Sequence, residues 1–185
     1  NLKMTKLNSK SVSGPGGSRV VETCHICSNS DLKSVLFLGY LPPVNQLHPI
    51  GSKPKEQSSY PAELLYCPKC HLVQLGLIVD PQVIFPKEYP YTSGTTKVLR
   101  DNFADLGQEA RKIVGLCTDD LVVDIGSNDG TLLSNFAPFA RVLGITPEDI
   151  GKLAVEQGIP TIQDYFRTET VAKVKKEYGK AKIVT

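Results

Sequence analysis

The pattern of apolar and polar positions changes twice along the chain. Residues 1–18 have almost no apolar periodicity and end in Gly-Pro-Gly-Gly-Ser, which predicts a disordered tail. Residues 19–92 carry short apolar runs between clusters of turn-forming residues, and this pattern predicts short strands in a small loop-rich module. The clearest runs are Val35–Leu38, Leu64–Tyr66 and Leu72–Leu75. So few large apolar residues leave little core, and we expect a staple to hold this module together.

A helix is predicted next, within a bridging segment at 93–118. Apolar residues recur there at steps of three and four, which places them on one helical face. We expect the helix to run from about Thr96 to Leu116, with Ser93 or Thr95 as its N-cap. The apolar positions are Val98, Leu99, Phe103, Leu106, Ala110, Ile113 and Val114.

Residues 119–185 alternate between short apolar strands and helical patterns, as βαβ units do, and this indicates a parallel, buried sheet. The predicted strands are Leu121–Ile125, Arg141–Ile145, Pro160–Gln163 and Lys182–Val184. The predicted helices are Gly130–Phe136, Pro147–Gln157 and Glu169–Tyr178. The fold class is therefore α/β, a loop-rich module followed by about four parallel strands. Because the sequence ends inside a predicted strand, we expect it to be a fragment.

Charge and composition exclude several classes of function. Lys and Arg number 21 and Asp and Glu 19, a net charge of +2, which argues against a nucleic-acid-binding surface. No apolar run approaches the ~18 residues of a membrane span, and the N-terminal residues do not resemble a signal peptide. We therefore expect a cytoplasmic protein without nucleic-acid or membrane partners.

Four of the five cysteines form two C-x-x-C pairs, Cys24/Cys27 and Cys67/Cys70, with 39 residues between the pairs. Two such turns can complete the tetrahedron of thiolates that structural zinc prefers. His25 or His71 could replace a cysteine as ligand, and Cys67–His71 also matches the C-x-x-C-H pattern of haem attachment. That pattern needs an exported protein and a second axial ligand, so zinc is favoured. Cys117 is predicted to be a buried core residue.

A glycine-bearing loop, Asp124-Ile125-Gly126-Ser127-Asn128-Asp129-Gly130, lies between a predicted strand and a predicted helix. Its spacing is neither the G-x-G-x-x-G of dinucleotide folds nor a P-loop. An acidic residue followed by G-x-x-x-G is instead the pattern of class I S-adenosylmethionine-dependent methyltransferases. A strand-turn-helix without any ligand is the alternative.

Together, the two cysteine pairs, the stretch Tyr89–Gly94 and the run Asp124–Leu133 resemble the zinc-containing sugar C-methyltransferases. The resemblance covers about residues 23–185. It implies a zinc-binding module at 19–92 and, at 119–185, the first part of a truncated Rossmann-like domain that binds S-adenosylmethionine. It also implies a small-molecule substrate, a nucleotide-linked keto-deoxysugar that is methylated on carbon.

The resemblance assigns roles to individual residues. The loop would line the methionine part of the cofactor, and an acid at the end of the second strand would bind the ribose. Thr146 occupies that acid's position, so Thr146 itself or Glu148 reaching back would have to serve. Asp164 and Tyr165 would hold the adenine or else form a helix cap and core, and Tyr91 and Ser93 could close over the site. The cofactor-binding candidates are Asp124, Gly126, Ser127, Asn128, Gly130, Thr146, Asp164, Tyr165, Tyr91 and Ser93.

No catalytic base is identified, and Tyr91 is the one weak candidate for a catalytic role. We therefore expect the 185 residues alone to be inactive. Two other functions stay open: a methyltransferase acting on another substrate class, and a non-catalytic module that joins a zinc ribbon to a Rossmann-like fold.

Overall fold

A computed structural model describes residues 17–185. Most of the predicted disordered tail, residues 1–16, lies outside the described residues. The chain divides into two compact units, the first ending at Ile84 and the second spanning Phe85–Thr185. Within the described residues, no helix is both long and apolar enough to cross a membrane.

The first unit is built from short antiparallel strands. β2, β3 and β4 form one sheet in that order, and β1 pairs with β5. The three apolar runs that the sequence singles out lie in β2, β3 and β4. Its elements are β1 (Arg19–Val20), β2 (Lys33–Leu41), β3 (Tyr60–Tyr66), β4 (Val73–Leu75), β5 (Leu77–Ile78) and α1 (Pro81–Ile84).

This unit buries very little. Among its described residues, four are buried: Val21, Cys24, Cys67 and Gln74. Large apolar side chains of β2 stay half exposed, as Phe37 does at 53%. The apolar surface therefore forms no core of its own, which matches the expectation that a staple is needed.

The second unit is an α/β structure with one parallel sheet, and the predicted fold class is confirmed. The strand order is β8-β7-β6-β9, so the chain moves outward from β6 in one direction and then returns to its other side. Its elements are α2 (Lys97–Val114), β6 (Leu121–Ile125), α3 (Thr131–Ser134), β7 (Arg141–Ile145), α4 (Gly151–Glu156), β8 (Thr161–Ile162), α5 (Thr168–Glu177) and β9 (Ile183–Val184).

Both faces of this sheet are covered by apolar packing, because successive side chains of a strand point to opposite faces. On one face Val122 and Val142 pack with Leu133 and Phe136 from the segment that follows β6. On the other face Val123 and the remaining strand residues pack with α5. The members of this second cluster are Leu121, Val123, Leu143, Ile145 and Val174.

Three local predictions are wrong. The helix predicted from Pro147 begins only at Gly151, because the preceding turns close through tighter i to i+3 bonds, from Gly151 N–H to Glu148 O at 3.1 Å and from Lys152 N–H to Asp149 O at 3.0 Å. Neither Ser93 nor Thr95 caps α2: both lie in a 3-10 turn, and the N-cap position is Thr96. Cys117 is exposed rather than buried, since its N–H and Sγ both donate to Asp120 Oδ2 at the surface.

The division between the units lies at residues 84/85, whereas the sequence places the end of the zinc module at residue 92. Residues 85–92 belong to the second unit because their backbone hydrogen-bonds to its loops, for example at Lys87 and Tyr91. The helix predicted as a bridge, α2, likewise lies within the second unit.

Candidate metal centre and cofactor site

The four predicted metal ligands come together in the first unit. Their sulfur atoms all lie within 4.8 Å of one another. Cys24 Sγ is 3.4 Å from Cys70 Sγ, and Cys27 Sγ is 3.6 Å from Cys67 Sγ. A zinc ion bound by four thiolates at ~2.3 Å requires sulfur–sulfur distances of about 3.8 Å. The donor set and its spacing therefore fit a tetrahedral zinc ion.

Both cysteine pairs use the same local backbone. Ser28 N–H bonds to Cys24 O at 2.9 Å, and His71 N–H bonds to Cys67 O at 2.8 Å. The residue after each pair is left-handed, with φ of 57° at Ser28 and 62° at His71. Each turn thus folds back on its first cysteine, which directs both thiols of a pair to the same side.

Backbone N–H groups favour the thiolate form of the first cysteine in each pair. The N–H of Cys27 lowers the pKa of Cys24 by more than burial raises it. Burial raises the pKa of Cys67 as well, but the N–H groups of Cys70 and Lys69, together with hydrogen bonds from the side chains of Cys27 and Asn29, outweigh it, and the pKa falls to about 6. Such N–H groups would stabilise metal-bound thiolates in the same way.

Crowding of the sulfur atoms has the opposite effect on Cys70. The N–H of Leu72 lowers the pKa of Cys70. The contact with Cys24 Sγ, burial and the contacts with Cys27 and Cys67 together raise that pKa by more, to about 12. Four thiols this close cannot all ionise without a compensating cation. A divalent metal ion removes this conflict.

Outer contacts orient the cysteine turns. Gln74, buried on β4, accepts from His25 N–H at 3.0 Å and donates to Thr23 O at 3.3 Å, so it ties the first turn to the sheet. Asn29 Nδ2 donates to Cys67 Sγ at 3.7 Å. His71 Nδ1 hydrogen-bonds to Tyr66 OH, and four sulfurs complete the ligand set without either histidine.

The glycine loop follows β6 in the second unit, as predicted. Gly126 and Gly130 both have φ of 79°, but for different reasons. A Cβ on Gly126 would have no other atom within 4 Å, so space is open above this residue. A Cβ on Gly130 would lie 2.9 Å from Ala154 Cβ, because α4 packs directly against the loop. Gly126 thus permits the close approach of a ligand, and Gly130 permits close packing.

Asp124 and Ser127 are buried beside this loop. Burial raises the pKa of Asp124, and a hydrogen bond from Thr185 Oγ1 to its Oδ1 at 3.1 Å only partly offsets the effect. Ser127 Oγ is buried without a hydrogen-bond partner among the described residues and faces the backbone of Gly144. A buried carboxyl and an unpaired hydroxyl are both costly for the fold, and such cost is typical of functional sites.

Tyr91 and Ser93 are brought to the loop by Asn128. Asn128 Nδ2 donates to Tyr91 O at 2.9 Å, and its Oδ1 accepts from Ser93 N–H at 2.8 Å. The neighbouring Asp129 accepts from Gly94 N–H at 2.8 Å. The sequence did not single out Asp129, although its place inside the motif was a usable signal. The Tyr91 side chain stays exposed.

Thr146 and Glu148 form a buried pair at the end of β7. Thr146 Oγ1 donates to Glu148 Oε2, and Gln163 Nε2 donates to Glu148 O at 3.2 Å. The exposed fractions are 1% for Thr146 and 6% for Glu148. The structure thus places the Glu148 carboxylate against the Thr146 hydroxyl, and which of the two would bind a ribose stays a prediction.

Asp164 and Tyr165 follow β8. Asp164 Oδ1 accepts from Tyr165 N–H at 2.8 Å and pairs with Arg167, and its Oδ2 accepts from Thr170 Oγ1 at 3.3 Å. Burial raises the pKa of Asp164, but Arg167 and the Tyr165 N–H lower it more, so the carboxylate form is favoured. These contacts organise the start of α5. Tyr165 OH donates to Phe85 O at 2.9 Å.

The cysteine-containing module is similar to a domain of known proteins. The Methyltransf_13 family model, described as "Putative zinc binding domain", matches residues 24–85 and thus includes all four cysteines. Residues 24–85 are therefore similar to a zinc-binding domain of that family.

A curated relative extends the similarity beyond that module. The C-methyltransferase NovU of Streptomyces niveus is 26% identical over 175 residues, which cover 90% of this chain. The chain spans about 40% of the length of that relative. The resemblance to C-methyltransferases that carry a zinc-binding module is thereby confirmed.

Proposed function

We propose that this chain carries the zinc module and the first cofactor-binding segment of an S-adenosylmethionine-dependent methyltransferase. The observation that supports it most is the loop after β6. A buried acid, Asp124, is the second-last residue of the strand, and the open space above Gly126 lies just beyond it in the chain. A carboxylate suits a cofactor with a cationic sulfonium and an ammonium group, and an open glycine allows such a ligand near the backbone. When bound, S-adenosylmethionine would supply an electrophilic methyl group.

The residues of the loop would act in different ways. Asp124 would face the methionine end through its carboxylate, and Gly126, Ser127 and Asn128 would line it through their backbone. The side chains of Ser127 and Asn128 are directed elsewhere, to Gly144 and to residues 91–93 respectively. Gly130 would act indirectly by keeping α4 close.

Glu148 is our choice for the ribose. The position usually held by an acid carries Thr146, whose hydroxyl donates to Glu148 and fixes that carboxylate at the end of β7. A carboxylate offers two separate acceptor oxygens to the two hydroxyls of a diol, whereas a threonine hydroxyl offers one oxygen. Thr146 thus would orient the acid rather than replace it.

Asp164 and Tyr165 would contribute to the adenine subsite only alongside their structural contacts. Asp164 Oδ2 has one donor, the more distant Thr170 Oγ1, and so retains capacity for an exocyclic amine. The Tyr165 hydroxyl is engaged with Phe85 O, which would leave its ring to pack against the base.

The substrate we propose is a nucleotide-linked keto-deoxysugar, methylated on carbon. Removal of a proton beside the ketone gives an enolate, whose carbon attacks the methyl group while the sulfonium leaves as a neutral thioether. This reaction needs a base, and Tyr91 is the only candidate we can offer from these residues. We further propose that the 185 residues alone do not turn over.

The test is isothermal titration of the zinc-loaded protein with S-adenosylhomocysteine, after metal content has been measured by atomic emission. We expect one zinc and one ligand per chain. Glu148→Gln should bind more weakly than the wild type, since a neutral amide is a poorer acceptor for the diol. One zinc without any binding would contradict the cofactor role and favour a non-catalytic interaction module.

The expected inactivity of the 185 residues needs a separate measurement. We expect no transfer of labelled methyl groups from S-adenosylmethionine to nucleotide-linked keto-deoxysugars by these 185 residues alone. Turnover by the chain itself would contradict that expectation. Turnover restricted to oxygen or nitrogen acceptors would favour the other methyltransferase class.

A further inference from the structure

Residues 85–94, here called the strap, bond to the loops that follow three neighbouring strands. Phe85 O accepts from Tyr165 OH, in the loop after β8. Lys87 O accepts from Asp149 N–H, in the loop after β7. These two bonds measure 2.9 and 2.8 Å.

The third attachment is the densest. Asn128 and Asp129, in the loop after β6, together make three hydrogen bonds of 2.8–2.9 Å to the backbone of Tyr91, Ser93 and Gly94. Because β8, β7 and β6 are adjacent and parallel, the strap crosses the sheet at the carboxyl ends of all three. None of these bonds follows from the local sequence of the strap.

That edge is where an open α/β sheet binds ligands, at the point where the chain reverses its direction across the sheet. Here the reversal lies between β6 and β9, since the chain adds β7 and β8 on one side before β9 pairs on the other. The strap ends at the loop of β6, next to this point.

We propose that the strap is a fixed wall of the cofactor crevice and that Asn128 is the positioning residue that holds it there. The inference rests on the proposed function. Asn128 is buried, and both the oxygen and the nitrogen of its side-chain amide hydrogen-bond to the backbone of the strap. It therefore acts through residues 91–93 and does not touch a ligand with its side chain. Its φ of 50° is left-handed, a conformation that Asn tolerates better than most residues.

The decisive variant is Asn128→Gly, which removes both amide bonds and leaves a residue that adopts positive φ without strain. In ligand-free, zinc-loaded protein we expect faster hydrogen exchange at residues 91–95 and unchanged exchange in β6 and β7. We expect S-adenosylhomocysteine to bind about tenfold more weakly, because binding must then order a released strap. Asn128→Asp keeps the acceptor for Ser93 N–H and should recover part of the affinity.

Asn135→Gly is the matched control. Asn135 Nδ2 donates to Thr131 O at 2.9 Å within the α3 segment and makes no hydrogen bond to the strap. It should lower stability without changing strap exchange or ligand affinity. Equal ligand affinity in Asn128→Gly and wild type would contradict the proposal that Asn128 holds the strap as a wall of the crevice. Unchanged hydrogen exchange at residues 91–95 in that variant would contradict it as well. If the wild type itself binds no S-adenosylhomocysteine, both the proposed function and the proposed role of the strap are contradicted.

Discussion

The two units solve the problem of stability by different means. The second unit encloses apolar clusters on both faces of its sheet, with Phe136 and Leu133 fully buried. The first unit buries four of its described residues, and two of these, Cys24 and Cys67, belong to the proposed metal site. Burial of apolar surface is the main favourable term in folding, so a unit that lacks it needs another source of free energy. Metal binding by the cysteine cluster would therefore stabilise the first unit in place of a hydrophobic core.

Metal removal should produce the largest difference between the two units. Structural zinc contributes an apparent ~10–16 kcal/mol in zinc-finger peptides, and that binding free energy is folding free energy. Chelation at pH 7 should therefore unfold residues 19–84 and leave the sheet of the second unit intact. Amide chemical shifts in a two-dimensional NMR spectrum separate the two responses.

Cysteine variants give this experiment a matched pair. Cys67→Ser removes a buried ligand and should abolish stoichiometric zinc binding. Cys117→Ser changes an exposed cysteine outside the cluster and should leave zinc content unchanged. Retention of first-unit structure in metal-free protein would show that the cluster is not its main support.

A phenylalanine in each unit tests the same contrast at a smaller scale. Phe136→Ala should cost the second unit about 3–5 kcal/mol, because a fully buried ring leaves a cavity. Phe37 is 53% exposed, and Phe37→Ala should cost the first unit less than about 1 kcal/mol, as at ordinary surface positions. Urea denaturation of zinc-loaded protein measures both. Equal losses would mean that the first unit has an apolar core after all.

Two glycines of one loop sharpen the contrast between packing and ligand access. Gly130→Ala combines a left-handed alanine with a contact of 2.9 Å to Ala154 and should cost about 2–4 kcal/mol. Gly126→Ala meets no atom and should cost about 1–2 kcal/mol, for its positive φ alone. Gly126→Ala should nevertheless weaken S-adenosylhomocysteine binding more than its stability loss explains. Equal stability losses at the two sites would contradict the packing role of Gly130.

Lowering the pH should unfold the first unit before the second, and its effect on the stability of the second unit should be small. Lys182 and the N–H of Cys117 lower the pKa of Asp120 to about 2, below its unfolded value near 3.9. Its contribution is thus complete above about pH 4 and is lost as the pH falls towards 2. Metal thiolates protonate earlier, so the first unit should unfold at a higher pH.

Circular dichroism and metal release measured between pH 7 and 2 test this order, with Asp120→Asn as the control. The stability difference between that variant and the wild type should shrink below pH 4. A difference that stays constant down to pH 2 would show that Asp120 does not contribute through its charge.

Periodicity and cysteine spacing predicted most of what local sequence determines. The strands β6 and β7 match their predicted bounds, and the four cysteines converge as their spacing requires. The late start of α4 could not be predicted in this way. The turns before it close through i to i+3 bonds, and Asp149 N–H bonds to Lys87 O, 62 positions earlier; apolar periodicity reports neither contact.

The candidate site shows the same limit. The motif indicated which residues surround a ligand, but not that the Asn128 and Asp129 side chains bond to residues 91–94. The sequence offered Thr146 or Glu148 as the ribose ligand but not the hydrogen bond between them, because a sequence does not state rotamers. Cys117 was misjudged since a cysteine is usually buried, whereas this one pairs with Asp120 at the surface.

The 39 residues between the cysteine pairs have a consequence for the order of events during synthesis. At 5–20 residues per second, the ribosome needs about 2–8 s to pass from Cys27 to Cys67. During that interval the nascent chain offers a metal only two thiols, and no complete tetrahedron exists. Both β2 and β3 lie in this insertion, so they are synthesised before the fourth thiol is available. Metal retention and the pairing of these strands would then occur together, and the first unit would mature after its own translation is complete.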